Sequence, residues 1–372
     1  MIKLGIQISI MLLRKSIFCL LLVSFFACEN ESDIVEEYSP RVSVSTQLSE
    51  FSIPGTSIRA IEVLNDSTIW FAGSNGKWGY SLDNGNNWTI ETLIHEGDKP
   101  NFRSIAVQKN GDIFLVAVQK PAAIFKSSDQ GQNWELVHQG PDENSFFDAV
   151  EFWDDQKGIL LGDPTASCFY IALTSDGGQT WNQVECGNIP SSLVDEYPFA
   201  ASNTNIALSG SHAWFGTGGK AEARVYHSSD YGSTWTVSNT PIVSGGGMTG
   251  IYSIDFYDDN NGMIAGGNWD VVSENTKNIA RTADGGNTWT LVADGSNDGY
   301  TSCIQYIPET EGKELFLLKG RAGSGASSMS YLHSEIDSVQ SFSNTNYLSL
   351  QFANRNTAWI SGKNKIAKLI IN

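Results

Sequence analysis

Beyond residue 40 the chain is written in short runs. Some alternate polar and apolar residues, and others are apolar throughout. "FRSIAV" from Phe102 and "IYSIDFY" from Ile251 alternate, whereas "GMIAGG" from Gly262 is apolar and ends in small residues. Turns rich in Gly, Asn and Asp separate the runs. No stretch shows the 3.6-residue period of an amphipathic helix, so the pattern predicts an all-β chain. The runs recur in a fixed order: an alternating strand, an apolar strand, a third strand leading into an Asp phrase ("NIARTADGG"), and a fourth leaving it ("TWTLV"). First strands are read seven times, from Ser57, Phe102, Phe146, Tyr197, Ile251, Tyr300 and Tyr347.

The Asp phrase occurs five times: "SLDNGNNW", "SSDQGQNW", "TSDGGQTW", "SSDYGSTW" and "TADGGNTW". Its carboxylate suits a tight reversal, where it accepts backbone N–H groups the turn leaves unpaired. Its glycine permits positive φ, and its tryptophan offers a large apolar ring to a neighbouring sheet. The residues are Asp83/Trp88, Asp129/Trp134, Asp176/Trp181, Asp230/Trp235 and Asp284/Trp289. They read as structural fasteners. Successive aspartates are 46, 47, 54 and 54 residues apart, which matches a four-stranded propeller blade. The expectation is one seven-bladed β-propeller over residues 41–372, four antiparallel strands per blade, with eight blades as the alternative count. The chain ends after an apparent third strand. "RVSVSTQL" (41–48) is therefore expected to complete the last blade and close the ring.

The S-x-D-x-G-x-T-W phrase resembles the Asp-box (BNR) repeat of sialidases and related propellers. The longer pattern "GMIAGG…IARTADGGNTW" resembles the Ycf48-like group of photosystem II assembly factors and their non-photosynthetic bacterial lipoprotein relatives. That resemblance implies a non-catalytic binding or assembly scaffold, with the ligand or partner on the face opposite the Asp-boxes. A glycan-binding or glycoside-hydrolase role is the alternative. A redox role, carried by a label on some relatives, is the third.

The N-terminus adds a location. Arg14 and Lys15 precede the apolar run Ile17–Ala27, a pattern that predicts a signal peptide over 1–27. Cys28 after Ala27 resembles a lipoprotein lipidation site, and 28–40 reads as an acidic tether. The expectation is a secreted outer-membrane or cell-surface lipoprotein, monomeric, touching membrane only through its lipid. The chain carries −18, and cleavage would remove three basic residues and no acidic one. Such a charge repels phosphate backbones and argues against nucleic acid. No Cys/His spacing suits a metal, and no phosphate-binding glycine motif or haem attachment motif occurs, so neither metal nor cofactor is expected. Hairpin register makes Cys168 and Cys186 near neighbours across two strands, which an oxidising compartment could join in a disulfide or leave as two buried thiols.

Aligning the first strands puts Arg59, Arg103, Asp148, Ala200, Ser253, Ser302 and Ser349 at one level of the ring. Two guanidinium groups and a carboxylate would then meet at the channel mouth. They would form either an anion site or an ion network stitching blades. Loops of the same face add Asp163, Lys220, Arg224, Asn268, Trp269, Asp270 and Arg321. The partner expected there is a protein, a glycan or an anionic small ligand. Sialidase chemistry would need a third arginine, with Arg224 or Arg321 as candidates, and a Tyr–Glu nucleophile pair that cannot be placed on the right strands.

Overall fold

A computed structural model describes residues 38–372, apart from 166, 322–327 and 343–345. Residues 1–27, read as a signal peptide, and Cys28 lie outside the described residues, as does most of the loop after Arg321. Residues 1–37 and 38–372 are separate units. The second unit is all-β, a propeller of antiparallel sheets.

Among the described residues, hydrogen bonding sorts the strands into six blade sheets, which corrects the expected seven. Four of them hold four strands each, such as Phe102–Val107, Ile113–Ala117, Ala123–Ser127 and Glu135–Gln139 in sequence order. The strands read as a first and a last blade belong to one six-stranded sheet, in the order Tyr347–Asn354, Thr357–Ile371, Thr46–Val63, Ile69–Gly73, Lys77–Ser81, Thr89–Thr92. The cause is chain continuity. Thr46–Val63 is a single strand of 18 residues whose first half, Thr46–Ser52, pairs with Lys365–Ile371. Its second half, Ile58–Val63, pairs with Ile69–Gly73. The strand that joins the two chain ends thus begins at Thr46, not Arg41.

The second strands carry the packing because they touch sheet neighbours on both edges and other sheets on both faces. All five residues of Ile69–Gly73 and of Ile113–Ala117 are buried. Fourth strands such as Thr89–Thr92 stay largely exposed.

Each Asp phrase is a closed hydrogen-bond unit. In the second, Ser127 Oγ donates to Asp129 Oδ1 at 2.8 Å and accepts the Gly131 N–H at 2.8 Å, and Asp129 Oδ1 accepts the Asn133 N–H at 2.9 Å. The other four phrases repeat this pattern from Ser81, Thr174, Ser228 and Thr282. The glycine is required twice over at Gly131. Its φ is +83°, and a Cβ there would sit 2.0 Å from the Trp78 ring of the preceding blade. Gly178 meets Phe114 in the same way, at 2.3 Å. The phrase is therefore a clasp pressed against the neighbouring sheet. Its tryptophans are buried (Trp181, Trp235) or half-buried in inter-sheet clusters (Trp88, Trp134, Trp289).

Cys168 and Cys186 are joined in a disulfide with Cα atoms 5.6 Å apart. The strand register beside them pairs Ala172 with Gln183 and Leu173 with Asn182. Tyr38 and Arg41 pin the start of the described chain to the buried Glu314. Arg41 Nε and its backbone N–H both reach that carboxylate at 2.7 Å, and Tyr38 Oη donates to it.

Candidate functional site

Strand pairing orients the ring. The last residue of the first long strand pairs with the first of the second (Val63 with Ile69), which pairs with the last of the third (Ile69 with Ser81). Inner strands therefore end on the side of the Asp phrases and begin on the opposite face.

At that opposite face the inner strands carry β-bulges. Register shifts occur between Ile58 and Ala60, Phe102 and Ser104, Ile251 and Ser253, and Tyr347 and Ser349; another sits opposite Asp148, where Leu161 and Gly162 pair with Ala149 and Phe147. A bulge inserts one residue and re-aims its side chain. The residues so placed are Arg59, Arg103, Asp148, Tyr252 and Leu348. Arg59, Arg103 and Asp148 do share one level. Their counterparts in the later strands are Tyr252 and Leu348, one residue before the Ser253 and Ser349 that sequence alignment picks.

Ala200 does not begin an inner strand. That strand is only Ile206–Ser209, and Glu196–Tyr197 instead pairs with Gly218–Gly219 at the margin of another sheet. Residues Ala200–Thr204 leave the sheet and fill the channel. Arg59 Nη1 donates to Ala201 O at 2.9 Å and Arg103 Nη1 to Ala200 O at 3.4 Å. Ser349 Oγ donates to Ser202 O at 2.7 Å, and Ser202 Oγ to Ser302 O at 2.7 Å. The Asn203 carboxamide pairs with both backbone groups of Ile105, and Thr204 Oγ1 meets Ser253 Oγ at 2.7 Å. One segment thus bonds to inner strands all around the ring and plugs it. Sequence reading missed this plug. Its signal is "AASNTN", a small and polar run where the other repeats have an alternating strand.

Above the plug the charged groups lie close together. Asp148 is fully buried, and neither oxygen meets the geometry of a full hydrogen bond. Desolvation first, and then Asp163, push its carboxyl well above the usual range, against the pull of Arg103 and the Ala200 backbone. Desolvation raises Asp163 to about 7. Arg103 is lowered to about 10, chiefly by desolvation and then by Arg59. Two arginines and two aspartates therefore share one partly dehydrated cluster, and both arginines also hold the plug.

The other candidates are dispersed. Arg224 turns to Glu196, donating from Nε at 2.9 Å and also from Nη2, in a buried ion pair that includes Tyr226 and Ser191. It does not join Arg59 and Arg103. Lys220 makes an exposed pair with Asp195 at 3.0 Å. Asp270 is exposed and caps Asn268 through its backbone N–H. Trp269 is half-buried, with the Arg321 guanidinium 4.0 Å from its ring centroid. It packs on a cluster that includes Tyr252, Tyr300 and Phe199, in which Phe199 and Tyr252 stack at 4.2 Å. One side of the mouth is thus an arginine–aspartate cluster, and the other is an aromatic shelf capped by a cation. Among the described residues no His, Cys, Asp or Glu group could hold a metal ion.

No family model and no curated protein matches this chain. Solved structures do. Ycf48 bound to a D1 peptide superposes with TM-score 0.63 at 15% identity, over 87% of this chain and 96% of that one. Virginiamycin B lyase from Staphylococcus aureus, solved with quinupristin, gives 0.65 at 14% identity, over 88% and 99%. Ycf48 from Cyanidioschyzon merolae gives 0.60 at 13%, over 87% and 98%. At these identities the likeness is one of fold: the chain is a β-propeller shaped like the Ycf48 and virginiamycin B lyase propellers.

Proposed function

We propose that this chain is a lipid-anchored, extracytoplasmic scaffold that binds a protein partner on the face opposite its Asp phrases. The observation that carries the reading is Trp269, half-buried under the Arg321 guanidinium and packed with Phe199 on the buried Tyr252, beside a channel its own chain has filled. Rigid aromatic rings with an adjacent guanidinium are the side chains most often found at the centre of protein interfaces. A closed ring fixes them before binding, so little ordering entropy is lost. The similarity in fold to Ycf48, solved with a bound peptide, supports the same class of partner. Of the two candidates for the third arginine of a sialidase clamp, Arg224 is committed to Glu196 and Arg321 lies over the Trp269 ring.

Glu314, which holds Tyr38 and Arg41, begins its strand on the Asp-phrase side, so the described chain starts on the face opposite the aromatic shelf. The test is cross-linked capture from the native cell envelope, comparing wild type with Trp269→Ala/Arg321→Ala. Loss of a specific partner with unchanged melting is expected. Equal recovery of every partner by both proteins refutes the reading.

A further inference from the structure

Below the plug, on the Asp-phrase side, the channel holds a second feature. A cavity of about 290 Å³ is lined by Glu62, Glu151, Asp255, Gln305 and Gln351, with Asn203 of the plug among its walls. Register explains the convergence. These five residues lie near the ends of five inner strands, opposite Trp70, Ile159, Met263, Phe316 and Trp359 of the second strands. The sequence carries the same signal, a polar residue next to last in each alternating run in "AIEV", "AVEF", "SIDF", "CIQY" and "SLQF".

Three carboxyl groups share this space, and among the described residues no Lys, Arg or His lines it. Asp255 is partly satisfied by the N–H groups of Phe256 at 3.0 Å and Tyr306 at 2.7 Å. Among the described residues Glu62 receives only a long contact of 3.4 Å from Gln351 Nε2. Glu151 faces the cavity and, among the described residues, its carboxylate receives no hydrogen bond. Desolvation and then Glu62 push it well above the ordinary glutamate range. Half-buried carboxylates crowded into one space take up a counter-charge or protons. A metal ion does not suit them, since no three such groups converge closely enough to hold one among the described residues. Spread-out acceptors with two carboxamides between them fit a larger cation that carries several N–H donors.

We propose that this lower cavity binds an organic cation through a primary ammonium or guanidinium group. The group comes either from a free polyamine or from a lysine or arginine side chain of a partner. The site is independent of the aromatic shelf, so either assignment can fail alone. Ionised carboxylates are required, and Glu62 and Asp255 are each raised to about 7 by desolvation. Binding therefore strengthens as pH rises through that range. Glu151 is the third titratable group on the lining, and its raised position acts in the same direction.

The experiment is calorimetric titration of the full-length protein with spermidine, N-acetyl-lysine methylamide, N-acetyl-arginine methylamide and calcium. At least one nitrogen cation binds saturably, roughly tenfold tighter at about pH 8 than at about pH 5. Glu62→Gln/Glu151→Gln weakens it by roughly tenfold or more, whereas Trp269→Ala/Arg321→Ala leaves it unchanged. Spermidine binding assigns the free amine, and binding of the capped amino acids alone assigns a partner's side chain. Melting of each variant without ligand is recorded in parallel. Should the double variant not fold, Asp255→Asn and the wild-type pH profile decide. No saturable binding of any nitrogen cation by wild type, preference for calcium, or affinity indifferent to pH overturns the proposal.

Discussion

Asn203→Ala tests whether the plug holds the ring together or merely fills it. The Asn203 carboxamide accepts the Ile105 N–H at 3.3 Å and donates to Ile105 O at 3.1 Å. It thereby copies a neighbouring strand along the inner edge of Phe102–Val107. Ile105 is fully buried and Asn203 nearly so. Alanine would leave both Ile105 groups without partners. Two lost bonds to buried backbone cost about 2–4 kcal/mol together. Asn203 also has φ +63°, a conformation in which asparagine is tolerated and alanine costs roughly 1 kcal/mol more. The expected loss is about 3–5 kcal/mol. With a urea m-value near 3 kcal/mol/M, the midpoint falls by about 1–1.7 M. Asn203→Gly removes the φ penalty and keeps the hydrogen-bond loss, so it should recover only about 1 kcal/mol. Hydrogen exchange at the Ile105 amide should accelerate in both variants. A midpoint shift below about 0.2 M with unchanged m, or an Ile105 amide as protected as in wild type, would show that the carboxamide does not support the inner edge.

Two other measurements address the clasp and the staple. Reduction, or Cys168→Ser/Cys186→Ser, opens a loop with a separation of 18 residues. On the chain-entropy account this costs about 3 kcal/mol; an unchanged urea midpoint under reductant refutes that. Stability against pH should have two limbs. Hydrogen bonds from the phrase itself hold Asp83, Asp129 and Asp284 below the usual range and Asp176 at about 2. Their stabilisation is present above the unfolded value near 4 and is lost as pH falls through the folded values. Desolvation raises Glu62 and Asp255 to about 7, so the folded state holds protons that the unfolded chain has released, and stability declines as pH rises from about 4.5 to 7. Glu62→Gln/Glu151→Gln should shrink the second limb, to which Asp255, Asp148 and Asp163 still contribute, and leave the first. A urea-midpoint profile in which the double variant keeps the full decline refutes the assignment.

Local patterns in the sequence determined the strands, the clasp and the cysteine neighbourhood. Alternation, turn residues and the spacing of five aspartates act within a few residues of chain. Each Asp phrase satisfies its own hydrogen bonds, so its geometry follows from its composition. The level shared by Arg59, Arg103 and Asp148 was legible for the same reason, because inner strands repeat at regular intervals. Three things were decided only by tertiary structure. Sheet count depends on whether Thr46–Val63 and Thr357–Ile371 run on or break, and that is set by their pairing with each other across the whole length of the chain. The bulges that substitute Tyr252 and Leu348 for Ser253 and Ser349 come from register between strands, which no single strand encodes. The fate of Arg224 and the path of Ala200–Thr204 were settled by unmet hydrogen-bond demand at distant positions. Glu196 is buried and requires a cation, and the inner strand edges require donors and acceptors that a polar segment of the same chain supplies.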